Sequence, residues 1–290
     1  MDFSVVVPCF NNQPYLERCL QALASQTYPR DQYEVIVVDN NSTDRSLQIA
    51  RGHPEVTVHV EPIQSSYAAR NRGVRQAKGD VLVFTDSDCE VSPTWLAEIA
   101  SALADPATQL VLGSRRNARE SFTLRMVADY EEQKAEYVCA LRDKRLYYAY
   151  TNNLAVRREA FDRCGPFMQL VRGADVVFAS RVVEAYGPES VRFAPRARLR
   201  HLEIVRLSDW YRKMGTYGRS YVRYRVWSHT RPLGFRQRFA VLRRTVKRNS
   251  YSWPRALSLA ALLAVGLVPF ELNRLRQSLS RSLAHARGSE

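Results

Sequence analysis

The first hundred residues alternate between short apolar runs and amphipathic segments. Four runs rich in β-branched residues predict buried strands at Phe3–Val7, Glu34–Asp39, Val56–Val60 and Val81–Thr85. Between and after them, apolar side chains recur at helical spacing, which predicts helices over Tyr15–Ala24, from about Arg45, over Tyr67–Ala77 and over Thr94–Leu103. Unbroken Val and Ile runs joined by helices indicate a parallel sheet covered on both faces, so the predicted fold class is α/β.

The next hundred residues are less regular. The pattern predicts a charged helix, a short strand and two further helices, over Glu120–Ala140, Leu154–Val156, Arg158–Arg163 and from Gly173–Asp175 to about Ala185. No repeat or low-complexity linker interrupts this stretch. We therefore predict one catalytic domain over residues 1–205.

The pattern changes in residues 206–290. Apolar side chains first recur along one helix face, at Trp210, Met214, Tyr217, Tyr221 and Tyr224. A basic amphipathic stretch follows at Phe235–Val246, and Ala256–Phe270 contains no charge. At 1.5 Å per residue that last run reaches roughly 22 Å, short of the ~30 Å hydrocarbon core. We predict a helical extension in which this run dips into a membrane or, alternatively, packs inside the protein.

The basic charge of the chain belongs to its last third. Residues 196–290 carry a net charge of +17, whereas residues 1–195 carry −3. Basic and aromatic side chains suit the headgroup layer of an anionic membrane surface. The alternative partner, nucleic acid, is not expected because no nucleic-acid motif is present and the apolar run would be unexplained. No basic-then-apolar leader precedes Phe3, so we expect a cytoplasmic protein held peripherally at the cytosolic face of the cell membrane.

Three polar segments follow the predicted strands, at Pro8–Asn12, Asp39–Asp44 and Asp86–Glu90. Ligands of parallel sheets bind beyond the carboxyl ends of the strands, so these segments predict a nucleotide pocket. Asp86 and Asp88 flank one residue and can present oxygen ligands to a divalent cation, which can neutralise a diphosphate leaving group. The five cysteines contain no CxxC pair, which argues against a disulfide framework or a structural zinc site.

Two further residues fit a nucleotide pocket. Asp39 could accept hydrogen bonds from a nucleobase or ribose, or simply cap the following helix. Arg70 could pair with a phosphate or a base carbonyl through its planar guanidinium.

Four runs, in this order, resemble family 2 glycosyltransferases, the nucleotide-sugar enzymes with the GT-A fold: SVVVPCFNN, VIVVDNNSTD, AARNRGVRQAKGDVLVFTDSD and NNLAVRREAFDRCGPF. The resemblance covers roughly residues 3–205. It implies a Rossmann-like, mostly parallel sheet flanked by helices. It also implies a donor site formed by Pro8, Cys9, Phe10, Asn11, Asp39, Arg70, Asp86 and Ser87. A divalent metal, Mg²⁺ or Mn²⁺, would be held by Asp88 with Asp86 nearer the ribose.

The same resemblance implies a catalytic base. The family's Glu-Asp pair corresponds to Ala174-Asp175 here, so Asp175 keeps the base position and Ala174 replaces the glutamate. Asp175 would deprotonate an acceptor hydroxyl on the face opposite the diphosphate, which gives inversion. His201 is a weaker candidate near the metal or diphosphate, with a structural role as the alternative.

The sequence thus predicts a glycosyltransferase that moves a sugar from a nucleoside diphosphate, most often UDP in this family, to a glycan or lipid-linked acceptor. Synthesis of an envelope or exported polysaccharide or glycolipid is the expected setting. Three tyrosines before Asn152 could line the acceptor site or pack in the core: Tyr147, Tyr148 and Tyr150. The replaced glutamate leaves a catalytically inactive, donor-binding scaffold as the alternative. A sugar-nucleotide pyrophosphorylase is disfavoured because the loop after the first strand lacks glycine.

Overall fold

The computed structural model describes residues 1–117, 121–228 and 230–287, with side chains to residue 276. The strands are β1 Phe3–Cys9, β2 Tyr33–Asp39, β3 Val56–Val60, β4 Val81–Thr85, β5 Cys89–Val91, β6 Leu110–Asn117, β7 Asn153–Arg157 and β8 Val191–His201. The helices are α1 Gln13–Ala24, α2 Ser46–Arg51, α3 Ser66–Gln76, α4 Trp95–Ala102, α5 Phe122–Leu141, α6 Arg158–Cys164, α7 Ala174–Tyr186, α8 Leu207–Ser228, α9 Phe235–Arg248 and α10 Trp253–Arg287. The predicted charged helix begins at Glu120 and the predicted C-terminal extension ends at residue 290. Glu120 and residues 288–290 lie outside the described residues.

The strands form one sheet in the order β3-β2-β1-β4-β7-β6-β8-β5. The first four strands pair in parallel, as the apolar runs predict. The other half is mixed, because β7 runs antiparallel to both β4 and β6, and β5 runs antiparallel to β8. This GT-A-like mixed sheet flanked by helices confirms the predicted fold class. The parallel half carries the strand ends that form the candidate nucleotide pocket.

Alternate residues of the central strands supply the two faces of the sheet. Val5 and Val7 of β1 pack in one apolar cluster, whereas Val6 packs in the other. Helix α3 lies close to the sheet at Gly73, where an added Cβ would lie 2.4 Å from a methyl group of Val6. The close approach fixes α3, and therefore Arg70 on its buried side, against the ends of β1 and β4.

The short strand β5 brings the end of β8 next to the Asp86–Asp88 turn. It follows the Asp86–Asp88 turn, and its first residue, Cys89, pairs with His201 at the end of β8. His201 is therefore brought next to the turn although more than 110 residues separate them in sequence.

The C-terminal helices pack on the sheet domain and on one another. Trp210 of α8 joins an apolar cluster with Leu124 and Val127 of α5. Helices α8 and α10 approach closely at two glycines: a Cβ on Gly218 would lie 2.1 Å from the Phe270 carbonyl oxygen, and one on Gly266 would lie 2.5 Å from the Trp210 ring. Helix α10 thus packs closely along α8, and its Leu259 also joins an apolar cluster with Met126 and Tyr130 of α5.

Helix α10 is longer than the fifteen uncharged residues suggest. Its segment Trp253–Arg276 is long and apolar enough, by length and composition, to cross a membrane: it contains an 18-residue window with a mean hydropathy of 1.7, of which 11% is buried. The sequence-based length was too short because the helix continues past both ends of the uncharged run, and the low burial argues against a core helix. An outward stripe of apolar side chains is exposed: Trp253, Leu257, Val265, Val268, Leu272 and Leu275.

The glycine contact between α8 and α10 gives a stability prediction. Gly218→Ala is expected to lower the free energy of unfolding by about 1–3 kcal/mol, because backbone atoms of α10 leave no room for the methyl group. Gly215→Ala, one turn earlier on the same helix, is the matched control, since its nearest contact is the movable Asn273 side chain at 3.3 Å. Chemical denaturation of both variants measures the difference, and equal stabilities would contradict the close packing.

Candidate active site

A cavity of about 980 Å³ lies beyond the carboxyl ends of β1, β2 and β4, between the sheet and α8. Every candidate site residue but one lines it: Pro8, Cys9, Phe10, Asn11, Arg70, Asp86, Ser87, Asp88, Asp175 and His201. The exception is Asp39, whose neighbour Asn40 lines the cavity instead. The residues that the sequence suggested for donor, metal and base are therefore gathered around one space.

Asp88 and His201 form a carboxylate–imidazole pair in this site. Asp88 Oδ2 lies 3.4 Å from Nδ1 of His201, and that Nδ1 is buried without a hydrogen-bond partner among the described residues. Burial, together with the neighbouring Asp86 carboxylate, raises the pKa of Asp88 to about 7. The pair is thus a place where a cation would stabilise the ionised carboxylate.

Cys89 completes a group of three potential metal ligands with these two residues, whose ligand atoms lie within 4.8 Å of one another. Burial raises the pKa of the Cys89 thiol well above its ordinary value, and the thiol lies 3.6 Å from Asp88 Oδ1 as a donor. Hard cations such as Mg²⁺ and Mn²⁺ prefer carboxylate oxygen, Mn²⁺ accepts a neutral imidazole more readily than Mg²⁺ does, and a neutral thiol is a poor ligand for both. Asp88 and His201 are therefore the residues that fit such an ion.

Lys213 of α8 adds a cation to the same corner. Its ammonium nitrogen lies 3.0 Å from Nε2 of His201 and 3.6 Å from a carboxylate oxygen of Glu203. Burial, followed by the Lys213 charge, lowers the pKa of His201 to about 3, so the imidazole is neutral at physiological pH. A neutral imidazole is the form that binds metals.

Arg70 pairs with Asp86 instead of standing free in the cavity. Its Nη2 donates to Asp86 Oδ1, and its Nη1 donates to the Ser66 carbonyl at 3.3 Å. The pair holds the first carboxylate of the Asp86–Asp88 turn against α3. The Arg70 charge also lies near enough to Asp175 to favour the ionised form of that carboxylate.

Asp175 lies in the first turn of α7 and is held by three donors. The Tyr67 hydroxyl donates to Oδ1 at 3.1 Å, its own helix contributes the Val176 amide at 3.0 Å, and the Thr151 amide reaches Oδ2 at 3.4 Å. Burial raises the pKa of Asp175 above that of an ordinary aspartate, while Arg70 and these donors oppose the rise. Asp175 is a positioned carboxylate with enhanced basicity.

The residues before Asp175 are shaped by α8. Gly173 has a φ of +94°, a conformation that favours glycine, and a Cβ there would lie 2.1 Å from the Tyr224 ring. The Gly173 amide also donates to the Tyr67 hydroxyl at 3.1 Å. Ala174 is buried among apolar side chains, so the position occupied by glutamate in the family pattern contributes to the core here and leaves Asp175 as the carboxylate at this helix start.

The loop after β1 is cross-linked to the other strand ends. Asn11, with a φ of 47°, accepts a hydrogen bond from the Thr43 amide at 2.7 Å. Asn12 donates to the Ser87 hydroxyl at 2.6 Å. Phe10 stays half exposed at the rim. These bonds fix the first loop of the cavity in place.

Asp39 ends β2 in a buried position. Its Oδ2 accepts from the Ser42 amide at 3.2 Å, whereas Oδ1 is buried and no group in the described part of the chain donates to it. An unsatisfied buried carboxylate oxygen is costly, and a nucleobase N–H group could satisfy it.

The three tyrosines before Asn152 all line the cavity, in different ways. The hydroxyls of Tyr147 and Tyr150 donate to the Pro188 and Gly113 carbonyls, at 2.8 and 2.6 Å. The Tyr148 hydroxyl has no hydrogen-bond partner among residues 1–117, 121–228 and 230–287. The rings of Tyr147 and Tyr150 are therefore held in place by hydrogen bonds, and the hydroxyl of Tyr148 is available to a ligand.

A family model, Glycosyl transferase family 2, matches residues 4–178. The chain belongs to this family. Among curated relatives, AglE of Haloferax volcanii is 34% identical over 191 residues, 63% of this chain and 61% of the relative. TarS of Staphylococcus aureus, a poly(ribitol-phosphate) β-N-acetylglucosaminyltransferase, is 32% identical over 117 residues, 39% of this chain and 20% of the relative. The chain thus matches about three fifths and one fifth of their lengths.

Solved glycosyltransferase structures share the fold. The mannosyltransferase PcManGT from Pyrobaculum calidifontis, in complex with GDP-Man and Mn²⁺, is 22% identical with a TM-score of 0.58, over 95% of this chain and 84% of that one. TarS 1–349 from S. aureus, in complex with UDP-GlcNAc, is 19% identical with a TM-score of 0.56, over 96% and 92%. The family match and the shared fold confirm the predicted family and fold class.

Two residues of this site were not predicted from the sequence. Tyr67 lies one helical turn before Arg70, at the start of α3. An aromatic side chain at such a position is typical of the hydrophobic core, so the sequence did not mark it as a site residue. Lys213 is one of only five lysines among 43 basic residues, which is a weak signal that an ammonium group is needed there.

Proposed function

We propose that this chain catalyses inverting transfer of a sugar from a nucleoside-diphosphate sugar to an acceptor hydroxyl, with Asp175 as the general base. The observation that carries the proposal is the placement of Asp175. It is a buried, hydrogen-bonded carboxylate of raised pKa in the same cavity as the Asp86–Asp88 turn.

In this reaction the acceptor oxygen forms a bond to the anomeric carbon while the bond from that carbon to the diphosphate oxygen breaks. The acceptor proton passes to Asp175, and the electron pair of the broken bond leaves with the nucleoside diphosphate. Tyr67 acts as a positioning residue because it holds Asp175 Oδ1. Attack from the side opposite the leaving group inverts the anomeric configuration.

Asp88 and His201 would hold a divalent cation, Mg²⁺ or Mn²⁺, with Asp86 at the ribose side. The unpartnered Nδ1 of His201 and the raised pKa of Asp88 support this assignment. When bound, the ion would neutralise the diphosphate leaving group. Lys213 would add a further positive charge beside it.

For the donor, UDP is the first choice, with GDP and dTDP as the alternatives. Asp39 with its unsatisfied Oδ1, and the fixed loop Pro8–Asn11, are the proposed base and ribose contacts. Among structural neighbours, TarS was crystallised with UDP-GlcNAc and PcManGT with GDP-Man and Mn²⁺, so the shared fold accepts either nucleotide.

For the location, we propose peripheral attachment to the cytosolic face of the cell membrane through residues 206–290, with 1–205 as the catalytic domain. The exposed apolar stripe of α10 and the charge of +17 in residues 196–290 support attachment to an anionic surface. The acceptor would be a glycan or a lipid-linked sugar of envelope or exported polysaccharide or glycolipid synthesis. No nucleic-acid partner is proposed.

A thermal-shift panel of UDP, GDP, dTDP and CMP, each with and without Mn²⁺, tests the donor site. A ligand at 100 times its dissociation constant adds about 2.7 kcal/mol to the free energy of unfolding. We expect one nucleoside diphosphate to stabilise the protein in a metal-dependent way. Stabilisation by none of them would contradict the proposed function. Strong donor binding without any transfer would favour the inactive scaffold, which the loss of the glutamate at Ala174 makes the second candidate.

Tyr67→Phe should lower the transfer rate and move the acidic limb of the pH profile to higher pH. The Tyr67 hydroxyl stabilises ionised Asp175, so its loss raises the pKa of that carboxylate further. Activity, which needs the ionised base, is then lost at a higher pH as the solution is acidified. The profile of kcat/KM measures this shift, with Tyr28→Phe, far from the cavity at the N-terminus, as the control. An unmoved limb would argue against the contact.

A further inference from the structure

The cavity extends past the strand ends into a part that we call the second compartment. This compartment is lined by α5, β6, α9 and α10. Three cations border it, Arg115, Lys134 and Arg238, against the single carboxylate of Glu131. The compartment therefore carries a net positive charge, which suits an anionic group.

Arg115 is the cation best placed to bind such a group. Its guanidinium lies 3.6 Å above the centroid of the Tyr150 ring, and Tyr150 is itself fixed by its bond to the Gly113 carbonyl. No carboxylate of the described residues lies within ion-pair distance of Arg115, whereas Lys134 is paired with Glu131. Stacking on Tyr150 thus orients the planar guanidinium of Arg115, and its N–H groups remain able to donate hydrogen bonds to an oxyanion.

Arg238 of α9 lines the same compartment. Its Nε donates to the Leu233 carbonyl at 2.8 Å, which leaves its terminal nitrogens for a ligand. Tyr148, whose hydroxyl has no hydrogen-bond partner in the described part of the chain, lines the same compartment.

Past these cations the wall of the compartment becomes apolar. Phe235 and Phe239 of α9 line it on one side and are largely exposed, and Leu263, Ala264 and Leu267 of α10 line it on the other. Ala264 is also exposed and lies next to Val265 of the outward stripe. The compartment therefore opens directly onto the apolar surface proposed to contact the membrane.

We propose that this compartment binds a lipid-linked sugar phosphate as acceptor, with the phosphate held by Arg115 and Arg238 and the lipid chain leaving between α9 and α10. This rests on the proposed function and names its acceptor class. The buried base Asp175 implies that the nucleophile is a hydroxyl of the acceptor sugar, since a phosphate oxygen would not need deprotonation. The phosphate is therefore an anchor, and the reaction transfers the hydroxyl proton to Asp175 as the new glycosidic bond forms.

Binding to vesicles tests the proposal with a defined probe. Two types of phosphatidylcholine vesicle are compared, one containing hexadecyl phosphate and one containing phosphatidylglycerol, at matched surface potential. Flotation measures the binding of the full chain to each. We expect about tenfold tighter binding to the hexadecyl phosphate vesicles, the effect of a charge-assisted hydrogen bond. Arg115→Gln and Arg238→Gln should each remove most of this preference. Arg243→Gln, an exposed charge on α9 outside the cavity, should keep it.

The nucleotide panel separates the possible failures. Each variant must retain the nucleotide-induced thermal shift, which shows that it is folded with an intact donor site. If the wild-type protein shows no such shift, the proposed function fails and the acceptor assignment fails with it. If the shift is present but both vesicle types bind equally, only the acceptor proposal is overturned. It is also overturned if inorganic phosphate at the same concentration as the hexadecyl phosphate abolishes the preference, because the lipid chain would then contribute nothing to binding.

Discussion

Replacing Asp175 by asparagine is expected to lower kcat by about 10²- to 10⁴-fold, the usual contribution of a general base. The amide has nearly the same shape as the carboxylate and can still accept from the Tyr67 hydroxyl, but it cannot take up a proton. The cavity should therefore keep its form, and the metal-dependent thermal shift by the nucleotide should be unchanged.

Single-turnover transfer and nucleotide binding are measured on the same preparation. Asp162→Asn, an exposed acid on α6, is the matched control and should be as active as the wild-type protein. Loss of transfer with intact nucleotide binding assigns the base. An Asp175→Asn enzyme with most of its activity would require another base.

Asp88→Asn is expected to weaken the metal-dependent part of nucleotide binding by at least about 100-fold, the upper end of the cost of disturbing groups that merely support a metal ligand. The reason is the loss of the anionic ligand next to the unpartnered Nδ1 of His201. Nucleotide binding measured without metal should change little, because the proposed base contacts at Asp39 are separate.

Calorimetric titration of the nucleotide with and without Mn²⁺ checks this expectation. Glu90→Gln is the control, since Glu90 lies two residues further on and pairs with Arg18 at 2.6 Å outside the cavity. An unchanged Mn²⁺ effect in Asp88→Asn would place the ion elsewhere.

The pattern of apolar residues along the sequence was sufficient to predict the four parallel strands of the sheet. The Val and Ile runs of β1, β2 and β4 are buried on both faces, so their composition alone distinguishes them from helices, whereas β3 is a partly exposed edge strand. Strand β6 was missed because only Leu110–Leu112 is apolar, while its second half carries Arg115 and Arg116. That half is a strand because β8 pairs with it, a contact between residues more than 80 positions apart.

The same distinction explains the site. Asp39, Asp86 and Asp88 follow strands directly, so the rule for strand ends predicts where they lie. Tyr67 and Lys213 reach the cavity only through the packing of α3 and α8, which no local pattern reveals. His201 depends on the pairing of β8 with β5. The roles of these residues, and the division of the chain at residue 205, stay predictions.

The close packing of α8 against α10 has a practical consequence for purification. Cutting the chain before α10 to obtain a water-soluble enzyme would uncover the face of α8 that holds Trp210 and Gly218, and so replace one apolar surface by another. Polar substitutions along the outward stripe, at Leu257, Val265 and Val268, remove apolar surface without touching that interface. To obtain this protein without detergent, substituting exposed apolar side chains of α10 is thus a better strategy than deleting the helix.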